Sequence, residues 1–122
     1  MIGYVCLGTN DLEAAKRFYD ALLGVINAKR IWETERFVAW GHSETQPMLL
    51  IIKPFDNSKA TVGNGTMVAL AVSSRAEVDA LHAKALALGC KDEGAVGNRA
   101  ENFYAGYFRE LEGHKLAVFF AG

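Results

Sequence analysis

The chain has 122 residues, which suits one domain or two small modules that share a core. Its 13 basic and 14 acidic residues nearly cancel and form no Lys/Arg-rich stretch, so the sequence lacks the electrostatic footprint of a nucleic-acid-binding protein. The longest apolar run, "MLLII", is far too short to span a membrane, and no signal-peptide pattern precedes it. Without an export signal, Cys6 and Cys90 are interpreted as reduced thiols, which predicts a cytoplasmic location.

The first half of the chain predicts a strand, a helix and three further strands. Residues 2–9 are short and apolar, and Thr9 or Asn10 is the expected N-cap of the helix that follows. Apolar residues then recur at spacings of three and four until Gly24, the expected end of this helix. The three strand-like segments after it are separated by polar turns and cover residues 29–34, 36–41 and 48–54.

The second half repeats this order after a loop at residues 55–65, whose Gly-Asn-Gly ending is a strong turn signal. A strand is expected at residues 66–72, and Ser73 or Ser74 is the expected N-cap of a second helix that ends at Gly89. Three more strand-like segments follow, around residues 90–93, 103–109 and 114–120.

The two halves form an internal repeat. Tyr4 and Met67 occupy equivalent places, and at the same offset Ala15 falls on Val78. The sequence therefore predicts an α+β fold of two βαβββ modules, at about residues 1–57 and 64–122. Their strands are expected to form a curved mixed sheet around a central cup, with the helices on the outer face. The interior of such a cup is the natural place for a ligand.

The chain resembles the glyoxalase / bleomycin-resistance / extradiol-dioxygenase superfamily, also called vicinal oxygen chelate proteins. Three stretches carry the resemblance: "YVCLGTNDLEAAKRFYDALLG", "GNGTMVALAVSSRAEVDALHAKALALG" and "YAGYFRELEGHKLAVFF". They lie in both halves, so the resemblance implies a single glyoxalase-like domain over residues 1–122, similar to short bacterial members of the superfamily. The last stretch departs from the usual Arg-acid-Pro-acid-Gly-Asn-Lys turn, with Leu111 in place of Pro and His114 in place of Asn.

The resemblance also implies where a metal ion would bind. Metal-dependent members place His or Glu on the first and fourth strands of each module, and those positions here carry Tyr4, Ile51, Met67 and Ala117. None of these is a ligand for zinc, iron or manganese of the kind the family uses. Slipping the alignment by one residue brings in only Leu50, Ile52, Thr66 or Val68. We therefore expect no metal and no cofactor, which argues against a glyoxalase I, an extradiol dioxygenase or a fosfomycin-modifying enzyme.

Strand alternation predicts which other residues line the cup. If the four metal-equivalent positions face inward, so do the residues two places away along each strand, and three aromatic residues add walls. The expected ligand-binding set is Tyr4, Cys6, Trp40, Leu49, Ile51, Met67, Tyr104, Tyr107, Ala117 and Phe119. The nearest polar groups that could orient a ligand are Arg36, Lys53, Asn64, Arg99 and Asn102.

Few of the reactive side chains are expected to be catalytic. Tyr4 is interpreted as a filler or a ligand contact rather than an acid, and Cys6 as a small buried core residue. The favoured interpretation of the histidines is exposed or helix-surface residues, because they lie in a turn, a helix and another turn: His42, His82 and His114. No catalytic residue is assigned.

Three hypotheses about function stay open. The first is a metal-free protein that binds a small apolar or aromatic molecule in its cup. The second is a lyase, isomerase or dioxygenase-type enzyme of the same superfamily with unconventional metal ligands or none. The third is a structural or interaction subunit whose cup is filled by its own side chains. The expected partners are a small-molecule ligand and a second copy of the chain in a homodimer, with no nucleic acid or membrane.

Overall fold

The computed structural model describes all residues, 1–122, and divides into two compact units, Met1–Val62 and Gly63–Gly122. Each unit contains one strand, one helix and three further strands in that order. The prediction of an α+β fold built from two βαβββ modules is confirmed.

The first unit is a four-stranded mixed sheet with one helix. Its strands lie in the order β1-β4-β3-β2, with β1 and β4 parallel and the other pairs antiparallel. The parallel pair requires a crossover, and the helix α1 lies within that crossover. The elements are β1 (Tyr4–Gly8), α1 (Leu12–Gly24), β2 (Lys29–Glu33), β3 (Phe37–Gly41) and β4 (Met48–Ile52).

The second unit repeats this topology. Its strands lie in the order β5-β8-β7-β6, with β5 and β8 parallel and the other pairs antiparallel. The elements are β5 (Met67–Ala71), α2 (Arg75–Ala87), β6 (Lys91–Ala100), β7 (Phe103–Arg109) and β8 (Lys115–Ala121).

The ends of α1 differ by a few residues from the prediction. Asp11 is the N-cap, since its Oδ1 accepts a hydrogen bond from the Ala14 amide at 3.0 Å. The hydroxyl of Thr9 accepts from the Asp11 amide instead, so it shapes the approach to the helix. Gly24 is the last helical residue, but the left-handed turn after it falls on Asn27, with φ 62°.

The ends of α2 match the prediction more closely. Ser74 is the N-cap, and its Oγ accepts from the Glu77 amide at 3.1 Å. The Glu77 carboxylate in turn accepts from the Ser73 amide at 2.8 Å, so two backbone donors at the helix start are satisfied reciprocally. Gly89 ends the helix with φ +100°, a conformation that favours glycine.

Each helix packs on one face of the sheet in its own unit. Helix α1 contacts β2, β3 and β4, and α2 contacts β6, β7 and β8. Tyr19, Leu22 and Leu81 are fully buried. Burying a large apolar side chain stabilises the folded state by about 1.5–3 kcal/mol relative to leaving it exposed. Neither helix has the length and apolarity needed to cross a membrane.

Strand β6 is longer than predicted. The sequence predicts a strand only at residues 90–93, but β6 runs over Lys91–Ala100. Gly94, Gly97 and the polar residues around them have low strand propensity, which hides this strand from a sequence pattern. Pairing with β7 overrides that propensity, and the register shifts three times along the pair.

Candidate functional site

The pairing register decides which side chains of the first sheet share a face. Directly paired residues of neighbouring strands point to the same side of a sheet. Tyr4 pairs with Met48 and Cys6 with Leu50, whereas Ile51 pairs with Leu7. The face that carries Tyr4 is the one opposite α1, and we call the corresponding surface of each sheet its helix-free face.

The prediction that Leu49 and Ile51 face the same side as Tyr4 is wrong by one residue. Both side chains lie on the face covered by α1 and are 6% and 1% exposed. The helix-free position beside Cys6 on β4 is Leu50, which offers no metal donor either.

Trp40 also lies on the helix-covered face, so its predicted role as a pocket wall is wrong. It pairs with Leu49 and is 1% exposed. Its indole Nε1 donates a hydrogen bond to Asp20 Oδ1 at 2.9 Å, and its ring centroid lies 5.4 Å from that of Tyr19. The Trp40 ring is therefore part of the core beneath α1, with its one polar atom satisfied.

The helix-free face of the first sheet is largely filled by its own residues. Ala39, Met48 and Leu50 form a buried cluster, with Ile31 and Phe37 packed against it. On the edge strand β1, Tyr4 is 58% exposed and Cys6 is also exposed, so the prediction of a buried core cysteine at position 6 is wrong.

On the second sheet the register brings four predicted site residues together. Met67 pairs with Lys115, and Ala117 pairs with Tyr107 on one side and Ala69 on the other. Phe119 lies two places along the same strand as Ala117 and therefore points to the same side. Met67, Tyr107, Ala117 and Phe119 share the helix-free face of this sheet.

Tyr104 does not belong to this face, so its predicted role as an aromatic wall of the cup is wrong. It pairs with Phe120, and its hydroxyl donates a 2.6 Å hydrogen bond to Asp79 of α2. That hydrogen bond to a carboxylate raises the pKa of the Tyr104 phenol. The guanidinium of Arg75 lies 5.1 Å from the ring centroid. Tyr104 fastens α2 to β7.

The helix-free face of the second sheet has an apolar and accessible part along β5. Met67 is 44% exposed, and Ala69 and Ala71 beside it on β5 are also exposed. Phe103 and Phe119 stack with their ring centroids 5.2 Å apart. This surface therefore offers a floor of methyl groups bordered by aromatic rings, which suits a flat apolar molecule.

Two cations flank the ring of Tyr107 on this face. The Arg99 guanidinium lies 5.3 Å and the Lys115 ammonium 5.6 Å from the ring centroid, within the range of cation–π attraction. Arg99 is among the polar groups that the sequence suggests for orienting a ligand, whereas Lys115 is missed. Strand alternation carries the signal that would have found it, because Lys115 lies two places before Ala117.

The donor set of the helix-free faces does not fit a divalent metal ion. After the register correction, the positions that metal-dependent relatives use carry Tyr4, Leu50, Met67 and Ala117. Nowhere in the chain do three or more His, Cys, Asp or Glu residues lie together as a metal site requires. A site for zinc, iron or manganese needs several nitrogen, thiolate or carboxylate donors at once.

The histidines lie in separate places, and two of them differ from the expectation of exposed residues. His42 is exposed, with Nε2 2.9 Å from the Ile26 carbonyl oxygen. His82 and His114 are each 5% exposed. His82 lies between α2 and its sheet, and the backbone amide of His114 donates to the Glu110 carboxylate within the turn before β8.

Of the other predicted polar groups, Arg36 contacts the backbone of Lys53, and Asn102 lines a surface depression together with Arg99. Arg36 donates hydrogen bonds to Asn57 and to the carbonyl oxygens of Lys53 and Pro54, so it holds the loop after β4. Two polar surface depressions occur. The smaller, about 190 Å³, is lined by Thr9, Asn10, Lys53, Pro54, Asn57 and Ser58. The larger, about 470 Å³, is lined by Arg75, Asn98, Arg99, Ala100, Glu101 and Asn102.

Two βαβββ units, each with one helix-covered and one helix-free sheet face, define the class of vicinal oxygen chelate folds. Comparison with protein families agrees with this topology. The sequence model of the Glyoxalase/Bleomycin resistance protein/Dioxygenase superfamily matches residues 1–118. The chain belongs to this superfamily.

Solved structures extend the comparison. A glyoxalase/bleomycin resistance protein from Albidiferax ferrireducens T118 is 32% identical, with TM-score 0.86 over 98% of this chain and 97% of that one. A glyoxalase/bleomycin resistance protein/dioxygenase family enzyme from Burkholderia phytofirmans PsJN is 18% identical, with TM-score 0.78 and 98% of each chain covered. A lactoylglutathione lyase from Agrobacterium tumefaciens is 22% identical, with TM-score 0.72 over 98% of this chain and 92% of that one. The last two share the fold alone. No curated protein matches the chain.

Proposed function

We propose that this protein is a metal-free member of the superfamily that binds a small apolar or aromatic molecule on the helix-free face of its second sheet. The observation that carries the proposal is the chemistry of that face. The positions where metal-dependent relatives place ligands hold Met67, which is exposed, and Ala117, which is buried beneath the surface, and the exposed side chains beside them on β5 are apolar. Such a surface gains free energy by removing an apolar ligand from water.

Binding is tested by thermal unfolding against a library of neutral aromatic compounds. A ligand present at about 100 times its Kd stabilises the native state by about 2.7 kcal/mol, which is a rise of several degrees in Tm. The site is tested with Ala69→Asp, which places a carboxylate on the exposed floor beside Ala117. The matched control is Leu86→Asp, which adds the same charge on the exposed surface of α2.

We expect the first variant to lose most of the ligand-induced rise in Tm and the control to keep it. Equal losses in both variants, or no ligand among the aromatic compounds, would contradict the proposal.

A second candidate function is a lyase, isomerase or dioxygenase-type reaction with unconventional metal ligands or none. Its support is the superfamily itself and the fold shared with the lactoylglutathione lyase from Agrobacterium tumefaciens. Elemental analysis separates the two candidates. After equilibration with Zn²⁺, Ni²⁺ or Mn²⁺ and gel filtration, we expect well below one equivalent of metal, and stoichiometric retention would favour the enzyme.

A third candidate is an interaction subunit without a ligand, and the filled helix-free face of the first sheet supports it. The exposed floor on the second sheet distinguishes our proposal from it.

We also propose that the protein forms a homodimer, which light scattering on the purified protein tests. A cytoplasmic location is part of the same proposal, and the unpaired state of both cysteines supports it.

A further inference from the structure

We propose that the ligand of the second sheet is an aromatic carboxylate, and that Lys115 and Arg99 receive its anionic group beside the ring of Tyr107. This inference rests on the proposed function, which requires only an apolar or aromatic ligand. It adds the sign of the charge, the residues that recognise it and the part of the face where it binds.

The guanidinium of Arg99 is held in place before any ligand binds. Its Nη1 donates to the Gly97 carbonyl oxygen at 3.0 Å and its Nη2 to the Ala95 carbonyl oxygen at 2.5 Å. A Cβ on Gly97 would lie 3.3 Å from Nη1, and one on Gly94 would lie 3.3 Å from Nη2 and 2.9 Å from the Tyr107 ring. The two glycines therefore clear the space in which the guanidinium lies along β6 and reaches Tyr107.

Arg99 keeps donors for a ligand. Two of the five N–H groups of a guanidinium are used by the two carbonyl oxygens, and Arg99 makes no ion pair with a carboxylate. Because its position is already fixed, little further side-chain entropy is lost when an anion binds.

Lys115 brings a second positive charge to the same ring, and its ammonium forms no close ion pair with a carboxylate. It is half-buried, pairs with Met67 and Arg109 in the sheet, and makes no ion pair or hydrogen bond through its ammonium. The carboxylate of Glu93 is held by Arg109 at 2.6 Å, and Arg109 also donates to the Gly113 carbonyl oxygen. The nearest partner of Glu93 is therefore Arg109, and Lys115 acts on Glu93 only through the weaker, longer-range attraction of its charge, so its ammonium N–H groups stay available to a ligand.

The combination selects the chemistry of the ligand. A planar aromatic body matches the floor of methyl groups and the stacked rings of Phe103 and Phe119. A carboxylate at its edge accepts charge-assisted hydrogen bonds from Lys115 and Arg99, which are stronger than bonds between neutral groups. A neutral ligand would cover these cations without a charge that offsets theirs, and a cationic ligand would be repelled.

The test compares 2-naphthoate with its neutral isostere 2-naphthamide by isothermal titration calorimetry on the full chain. We expect the carboxylate to bind about tenfold more tightly than the amide, since a hydrogen-bonded charge pair at a half-buried site contributes at least that factor. Lys115→Met should remove most of this preference while leaving the affinity for the amide within about twofold. Arg99→Gln should also reduce the preference, and it separates an effect of charge from a packing defect at position 115.

The matched control is Lys84→Met, which makes the same charge change on the exposed surface of α2. It should bind both compounds as the wild type does, and far-ultraviolet circular dichroism checks that every variant is folded. Equal affinities for the two compounds in the wild type would overturn this inference and leave the proposed function standing. An equal loss of the preference in Lys84→Met would also overturn it. Binding of neither compound at millimolar concentration would overturn both.

Discussion

A methyl group added at Gly106 tests how tightly α2 is seated on its sheet. A Cβ at this position would lie 2.9 Å from both His82 Cδ2 and Val96 Cγ1. Carbon atoms pack best at about 3.5–4.0 Å, so in Gly106→Ala each neighbour must retreat by about 0.6 Å or more. His82 resists this movement, because its Nε2 lies 3.2 Å from the Tyr107 carbonyl oxygen and 3.3 Å from Asp92 Oδ1.

Two terms of opposite sign set the size of the effect. Overpacking a dense site costs about 1–3 kcal/mol. Replacing glycine by alanine restricts the unfolded chain and returns about 0.4–1 kcal/mol. We therefore expect Gly106→Ala to lower the free energy of unfolding by about 1–2 kcal/mol, which is a fall in Tm of about 4–8 °C.

Thermal and urea unfolding measure this effect against two comparisons. Gly3→Ala is the control, because a Cβ there meets nothing within 4 Å, and its stability should stay within about 0.5 kcal/mol of the wild type. The double variant Gly106→Ala/Val96→Ala removes one of the two overlaps and should recover part of the loss. A Gly106→Ala protein as stable as the wild type would refute the close packing described between Gly106, His82 and Val96.

Two further predictions concern ionisable groups. Burial, with the charge of Glu110 nearby, raises the pKa of the Cys90 thiol to about 12, whereas Cys6 is exposed and its thiol pKa is raised only by partial desolvation. One thiol per chain should therefore react with Ellman's reagent at pH 8 in the native state, and two should react after unfolding. Cys6→Ser should remove the reaction of the native protein. Rapid labelling of Cys90 in the native protein would contradict this prediction. The hydrogen bond from Arg30, helped by that from Trp40, lowers the pKa of Asp20 below its usual 3.8. The stabilising contribution of Asp20 is therefore complete above the pKa of this carboxyl in the unfolded chain, and it is lost as the pH falls through the pKa in the folded protein. Because the carboxylate is partly exposed, Asp20→Asn should lower the free energy of unfolding by about 0.5–1 kcal/mol at pH 7 and by progressively less below pH 4, as measured by urea unfolding. A difference between variant and wild type that does not change with pH would show that the charge of Asp20 is not its cause.

The sequence predicts the order of the elements well, because helix caps and apolar spacing are local signals. Ser74 and Gly89 illustrate this, since the N-cap and the left-handed end of α2 lie where the pattern indicates. The internal repeat, which aligns Tyr4 with Met67, also agrees with the topology, because each of these residues begins the first strand of its unit.

The faces of the strands are harder to predict. Every residue of "MLLII" is apolar, so alternation gives no sign of which side Leu49 and Ile51 take, and only the pairing with β1 decides it. The predicted roles of Trp40 and Tyr104 are wrong for a related reason. An aromatic ring with one polar atom suits either a pocket or a core that supplies a hydrogen-bond partner. In both cases an Asp side chain from the helix is that partner.

The irregular pairing of β6 has a consequence for the solubility of the protein. Strand β6 lies at the edge of its sheet, and β2 lies at the edge of the other, so each leaves a row of backbone groups unpaired within its sheet. Such edges invite pairing with strands of other molecules, which leads to aggregation. Three register shifts along β6 and one along β2 interrupt these rows, and the charged side chains of Lys91, Asp92 and Arg30 add a cost to close approach. The irregular register of β6 thus makes this edge a poor template for amyloid-like growth.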